Sequence, residues 1–224
     1  MEIYDPVAEE YAAVFDDISL RVFEWPWIRR LVEKHRPQSL LDLGCGNGYL
    51  LKALAGIAPE RYALEPSSVM YSIAAGALDS EVVLRQGTAE AMPFEDASFD
   101  MVISLLSFRY MAWGRALDEI RRVLKEGGLF ILVDLFAGSF HPFYVHKYLA
   151  AWAAARLLYI RNREYYQRLR RLTRSPDWRR MVGEHPKREL SEAKAAVERN
   201  FRVEDFRLLS AGLRGVTAGF LCRK

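Results

Sequence analysis

Cysteine is scarce: Cys45 and Cys222 are the only two in 224 residues. That number does not build a disulfide framework, and the separation is not that of paired zinc ligands, so no metal site is expected. A dominant charge sign is also lacking. The formal net charge of +3 argues against a nucleic-acid partner. Long hydrophobic runs are missing as well. The longest, residues 148–160, is too short to cross a bilayer and is interrupted by Arg156. Met1-Glu2-Ile3-Tyr4-Asp5 is acidic and mixed rather than basic and then apolar, so no secretory leader is expected. Few cysteines and no leader make the cytoplasm the expected compartment.

What is present is a normal globular composition, 51% hydrophobic and 27% charged, with no repeat or low-complexity tract. A chain of this size buries a full core. Residues 5–34 show apolar positions at helical spacing, Ala8, Ala12 and Phe15, then Ile28, Leu31 and Val32. Pro26 suits the start of the second helix and Pro37 stops it. Short apolar runs then alternate with helical stretches: strands at 39–43, 61–64, 82–85, 99–104 and 129–133, helices at 49–55, 69–77 and 116–124. This alternation predicts a Rossmann-like, doubly wound α/β fold on a mostly parallel sheet. Residues 141–199 look helical, and strands at 203–209 and 216–222 make seven. The expected organisation is one domain over 1–224: lid helices in 1–36, a cofactor-binding core in 37–134, a helical cap inserted at 135–200, and the last two strands in 201–224.

The chemistry concentrates after the first strand. Gly44-Cys45-Gly46-Asn47-Gly48 lies between that strand and a helix. Glycine permits the tight turn and close backbone approach, and a helix N-terminus offers free N–H groups to an anionic group. Glu65 ends the next strand, about twenty residues on, where an acid accepts from ribose hydroxyls. Together these indicate a nucleoside cofactor. A P-loop would need Lys-Ser or Lys-Thr closing the run, but Tyr49-Leu50 follows. A nicotinamide loop favours a different glycine spacing, although the loop alone leaves a dehydrogenase open.

Several ordered stretches resemble the class I S-adenosylmethionine-dependent methyltransferases, especially those acting on small molecules, quinones and lipids. Leu41-Asp42-Leu43-Gly44-Cys45-Gly46-Asn47-Gly48 is similar to the family's first motif. Glu65-Pro66-Ser67 with Met70 is similar to the second. Gly87-Thr88-Ala89-Glu90-Ala91-Met92-Pro93-Phe94 is similar to the third, residues 98–104 to the fourth, and residues 119–128 to the helix and turn before the fifth strand. Tyr4-Asp5, Ala8 and Tyr11 resemble a lid helix. The resemblance covers residues 4–134. It implies S-adenosylmethionine as cofactor, with Gly44 and Gly46 at its methionine part, Glu65 on the ribose, and Thr88 and Ala89 near the adenine. Asp42 would orient the loop, and Pro66, Met70, Glu90, Ser104 and Leu105 would complete the pocket under Tyr11. Thr88 departs from the family's usual aspartate, which implies weaker cofactor binding.

Methyl transfer from a sulfonium is an in-line displacement that needs alignment and exclusion of water, and a base only where the acceptor must lose a proton. The candidates for that role are His141, Tyr110 and Asp134. His146 reads as a surface or loop residue, Cys45 as a small buried filler and Asp100 as structural. Residues 136–160 read as cap helices packing on the domain, or as an apolar chamber for a small acceptor. From Arg156 to Arg180 nine arginines face only Glu164 and Asp177, a local charge of about +7. A run such as that from Arg161 to Arg180 reads as a solvated helix face, or as contact with an anionic membrane. Two rivals share the fold: a catalytically silent cofactor-binding or partner subunit, and an NAD-dependent oxidoreductase.

Overall fold

The computed structural model describes residues 5–137, 145–185, 187–212 and 215–224. Two helices, α1 (Ala8–Val14) and α2 (Glu24–His35), precede the sheet. Pro26 sits inside the first turn of α2, where a missing N–H costs nothing. The helix ends at Arg36, which adopts a left-handed φ of 46° directly before Pro37.

The strand β1 (Ser39–Leu43) is buried at every position, as a strand covered on both faces must be. After α3 (Tyr49–Ala53) comes β2 (Glu60–Glu65), and after α4 (Ser68–Ala77) come β3 (Val82–Gln86) and β4 (Phe99–Leu105). Next stand α5 (Trp113–Val123) and β5 (Leu124–Phe136). Four helices follow: α6 (Val145–Arg161), α7 (Arg163–Arg174), α8 (Pro176–Glu184) and α9 (Leu190–Asn200). The chain closes with β6 (Arg202–Gly212) and β7 (Gly215–Arg223). The seven-stranded order is β3-β2-β1-β4-β5-β7-β6. Strands β1 to β5 pair in parallel, and β7 runs antiparallel between β5 and β6. This is the expected Rossmann-like α/β fold, with helices inserted before the last two strands.

One boundary differs in kind. The fifth strand, expected at 129–133 after a connection, instead begins at Leu124, directly where α5 stops at Val123. Leu124 is fully buried and pairs with Phe99, so core packing converts the last turn into strand. Gly127, at φ 74°, then absorbs a bend within β5.

Both faces of the sheet are covered. Ile120 and Val123 of α5, Val197 of α9, Phe201 and Phe220 pack on one face. Ile28 and Val32 of α2, Leu50 of α3 and Ala74 of α4 pack on the other. A third cluster joins Val7, Val14 and Phe15 to Leu172 of α7 and Met181 of α8. Burying a side chain such as Leu172 contributes about 1.5–3 kcal/mol. Arg168 adds a hydrogen bond to the Ala13 carbonyl at 2.8 Å. The inserted helices therefore clasp the N-terminal lid. Among the described residues no helix is long and apolar enough to cross a membrane.

Candidate functional site

The carboxyl ends of β1, β2 and β4 meet where the connections diverge to opposite sides of β1. That crevice is where open α/β sheets bind ligands. A cleft of about 840 Å³, its open mouth included, lies there. Its floor is the glycine loop. Gly44 adopts φ 76°, and a Cβ there would stand 2.7 Å from the Ser107 Cβ, so only glycine fits. At Gly46, φ 57°, a Cβ would come into ordinary contact with the Met70 methyl at 3.5 Å, so there the backbone conformation rather than space favours glycine. α3 is only five residues long, too short for its N-terminus to offer an anion site of its own.

Glu65 holds this loop from the side. One oxygen accepts from the Gly46 N–H at 2.9 Å and the other from the Ser67 N–H at 3.0 Å. Burial raises the Glu65 carboxyl, and those two donors oppose the shift. Asp42, fully buried beneath the loop, is pushed up to about 8, by burial first and then by Glu65. Its Oδ2 has no hydrogen-bond partner among the described residues. Two desolvated carboxyls under one cleft favour a cationic ligand, because a positive charge would hold both in their ionised form. S-adenosylmethionine, with its ammonium and sulfonium, fits that electrostatic demand, and the apolar walls fit its adenine.

Most residues anticipated from sequence converge here. Tyr11, Asp42, Gly44, Gly46, Glu65 and Pro66 line the cleft, as do Met70, Thr88, Ala89, Glu90, Leu105 and Tyr110. Ser67 caps α4 by accepting the Met70 N–H at 3.1 Å, which sets the position of Met70. Glu90 accepts the Ala112 N–H at 2.7 Å and so fixes the turn below Met111. The Tyr11 ring lies 4.6 Å from Phe15 and stacks on Trp178 at 6.1 Å.

Two described residues lie elsewhere. Ser104 is fully buried behind the wall, where it bonds Ser107 at 2.9 Å. Ser107 itself reaches the cleft. Asp134 is fully buried and accepts the backbone N–H groups of Arg109 at 2.8 Å and Leu135 at 2.6 Å. Burial raises its carboxyl despite these donors and the nearby Arg109. It anchors the 3₁₀ turn Phe108–Tyr110 that carries Tyr110, and it does not face the cleft. His141 lies outside the described residues.

Sequence reasoning missed several neighbours. Leu106 lines the cleft in a left-handed conformation, φ 59°, that a leucine rarely adopts. Nothing in its identity signals this. Ser107, three residues beyond Ser104 and bonded to the Leu43 carbonyl at 2.8 Å, ties β4 to the loop. His185, just after α8, meets the Tyr110 ring edge-on at 5.3 Å, and its Nε2 has no hydrogen-bond partner among the described residues. Cys45 is buried and its thiol is pushed well up, as suits a packing residue. Asp100 accepts from Ser39 N–H at 2.9 Å and Lys125 at 2.9 Å, joining β4 to β1.

A methyltransferase-domain family pattern matches residues 41–132. A demethylmenaquinone methyltransferase of Thermotoga maritima is 32% identical over 163 residues, spanning 66% of this chain and 70% of that protein. The chain belongs to the class I S-adenosylmethionine-dependent methyltransferases. A ubiquinone/menaquinone biosynthesis C-methyltransferase of Rubrivivax gelatinosus is 30% identical, spanning 68% of this methyltransferase and 65% of that one. In fold, the methyltransferase is similar to a solved S-adenosylmethionine-dependent methyltransferase from Thermotoga maritima. The TM-score is 0.61 at 19% identity, with 99% of this chain and 98% of that one covered. Family membership replaces the nicotinamide reading that the glycine loop alone left open.

Proposed function

We propose that this S-adenosylmethionine-dependent methyltransferase acts on a small apolar or amphipathic acceptor, and that residues 1–224 form one domain, placed in the cytoplasm. The observation that carries the reading is the buried pair Asp42 and Glu65 on the floor of a cleft walled by Leu64, Met70, Leu105, Leu106 and Met111. The floor suits the cationic cofactor and the walls suit an apolar partner. Two relatives carry names of quinone methyltransferases, which supports the same acceptor class.

The sulfonium, when bound, supplies the methyl group and its own leaving group. Asp42 neutralises positive charge beneath the loop. Glu65 orients the ribose while bracing Gly46. Thr88 and Ala89 flank the adenine end, and Tyr11 covers the cleft so that water is excluded. Tyr110 lines the cleft with His185 against it. An acceptor losing a proton from oxygen or carbon would give it up there. Asp134 acts through the turn it anchors, as a positioning residue. We also propose that the arginine-rich stretch, Arg161 to Arg180, faces an anionic membrane surface.

Calorimetric titration with S-adenosylmethionine and its demethylated product, with NADH as control, tests the reading. Binding of the first two, followed by methyl transfer to a hydroxylated quinone or another apolar acceptor, is expected. Binding of neither would overturn it.

A further inference from the structure

The most exposed large apolar side chains of the described residues belong to one helix. On α6, Leu149 is 61% exposed, Trp152 68% and Ile160 66%, and Val145 and Leu157 are about half exposed. Val145, Leu149, Trp152, Arg156 and Ile160 follow one another at four- and three-residue steps, which places them on one stripe. Among the exposed described residues of α6 only His146 and Arg156 are polar, and the helix contains no acidic residue. A contiguous apolar patch of this kind on a surface marks an interaction site.

The next helix supplies the charge. Only Asn162 separates α6 from α7. Arg168 of α7 is engaged with the lid, but Arg163, Arg170 and Arg174 lie outward along a groove with Gln167. The only acid of α7 is Glu164, which pairs with Arg168. A bare apolar face with tryptophan, next to arginines and almost free of acids, has the composition of a helix that lies in a membrane interface. A second copy fits less well, since the same face of a partner would offer Arg163 no free acid: α6 has none, and Glu164 of α7 is paired with Arg168. α6 has 17 residues with Arg156 on the exposed stripe, dimensions that suit lying along an interface rather than spanning a bilayer.

We propose that α6 enters the headgroup layer of an anionic bilayer through Leu149, Trp152 and Ile160, while Arg163, Arg170 and Arg174 bind lipid phosphates. The inference rests on the reading of the arginine stretch as facing an anionic surface, and it adds the element that inserts. It also places the clasp of the lid at the bilayer. α7 holds α1 through Leu172 and Arg168, so an apolar acceptor dissolved in the membrane would meet the enzyme one helix from the cofactor cleft.

The test is co-sedimentation of the full chain with phosphatidylcholine vesicles, with and without phosphatidylserine, at low and high salt. The variants are Leu149→Glu/Trp152→Glu on α6 and Arg170→Glu/Arg174→Glu on α7. All side chains changed are exposed, and circular dichroism with cofactor titration checks that each variant folds. The expected result is binding to anionic vesicles that persists in part at high salt. Each double variant should weaken it by about tenfold or more. If only the arginine variant loses binding, α6 does not insert, and the electrostatic contact stands alone. If the unaltered protein ignores anionic vesicles, both readings fail. If it runs as a dimer that Leu149→Glu/Trp152→Glu converts to a monomer, the face is a self-interface and the proposal is overturned.

Discussion

Asn47, in the middle of the glycine loop, donates its side-chain amide to the carbonyl of Phe15 at 2.7 Å and reaches that of Ala12 at 3.3 Å. The glycine loop and the end of α1 are thus one hydrogen-bonded unit. Asn47→Ala is expected to free the end of α1 and to weaken S-adenosylmethionine binding about fivefold to thirtyfold, the range of one or two lost buried hydrogen bonds. Calorimetry checks the affinity, and hydrogen exchange over residues 8–15 checks the lid. Unchanged exchange would show that the lid is held by α7 and α8 alone.

Asp42 gives a pH signature. Its carboxyl is held up to about 8 by burial and by Glu65, so the folded protein keeps a proton that the unfolded chain has already released. The contribution to stability is therefore fully present in acid and is lost as pH rises from about 4, the ordinary carboxylate value, through about 8. A cationic cofactor favours the ionised form, so binding near neutral pH should release a proton. Titrations in buffers of different ionisation enthalpy measure that release. Asp42→Asn should abolish it, flatten this part of the stability profile and weaken binding.

Thr88 stands where related enzymes usually carry aspartate. A carboxylate hydrogen bond is stronger than one to a hydroxyl, so Thr88→Asp is expected to tighten cofactor binding by about threefold to tenfold. No gain on titration would mean that Thr88 does not meet the adenine amino group.

Gly44 and Ser107 test the close approach on which the cleft depends. Gly44→Ala introduces a Cβ 2.7 Å from that of Ser107 at a left-handed φ of 76°. A loss of about 2 kcal/mol or more in stability is expected, from overpacking together with backbone strain. Ser107→Gly in the same chain should recover the overpacking part but not the strain. Denaturant unfolding of the two variants reads both quantities.

Tyr110 and His185 are the proposed acceptor-side pair. Tyr110→Phe and His185→Gln should lower turnover by about a hundredfold where the acceptor must lose a proton, the lower end for general acid–base catalysis, and leave cofactor affinity unchanged. Parallel loss of cofactor binding would instead assign them to the shape of the cleft.

The glycine-loop side of the cleft was legible in the sequence for a local reason. β1, the loop at 44–48 and Glu65 are joined by short connections, and they meet at neighbouring strand ends. The alternation of apolar runs and helices likewise specified a parallel sheet, because parallel strands must be joined by crossovers. The fold decided the rest. Asp134 reads as a polar strand end in the sequence, yet Arg109 and Leu135 claim its oxygens and turn it into an anchor. Ser104 alternates to the hidden face of β4 while Ser107 emerges, a choice made by the left-handed backbone at Leu106 between them. His185 arrives at Tyr110 from 75 residues further along the chain, which no local pattern encodes. The same holds for the clasp between α1 and α7, and for the exposed stripe of α6. The sequence determined which stretches are apolar and which are charged. Only tertiary packing decided which apolar faces found a partner and which one was left for solvent.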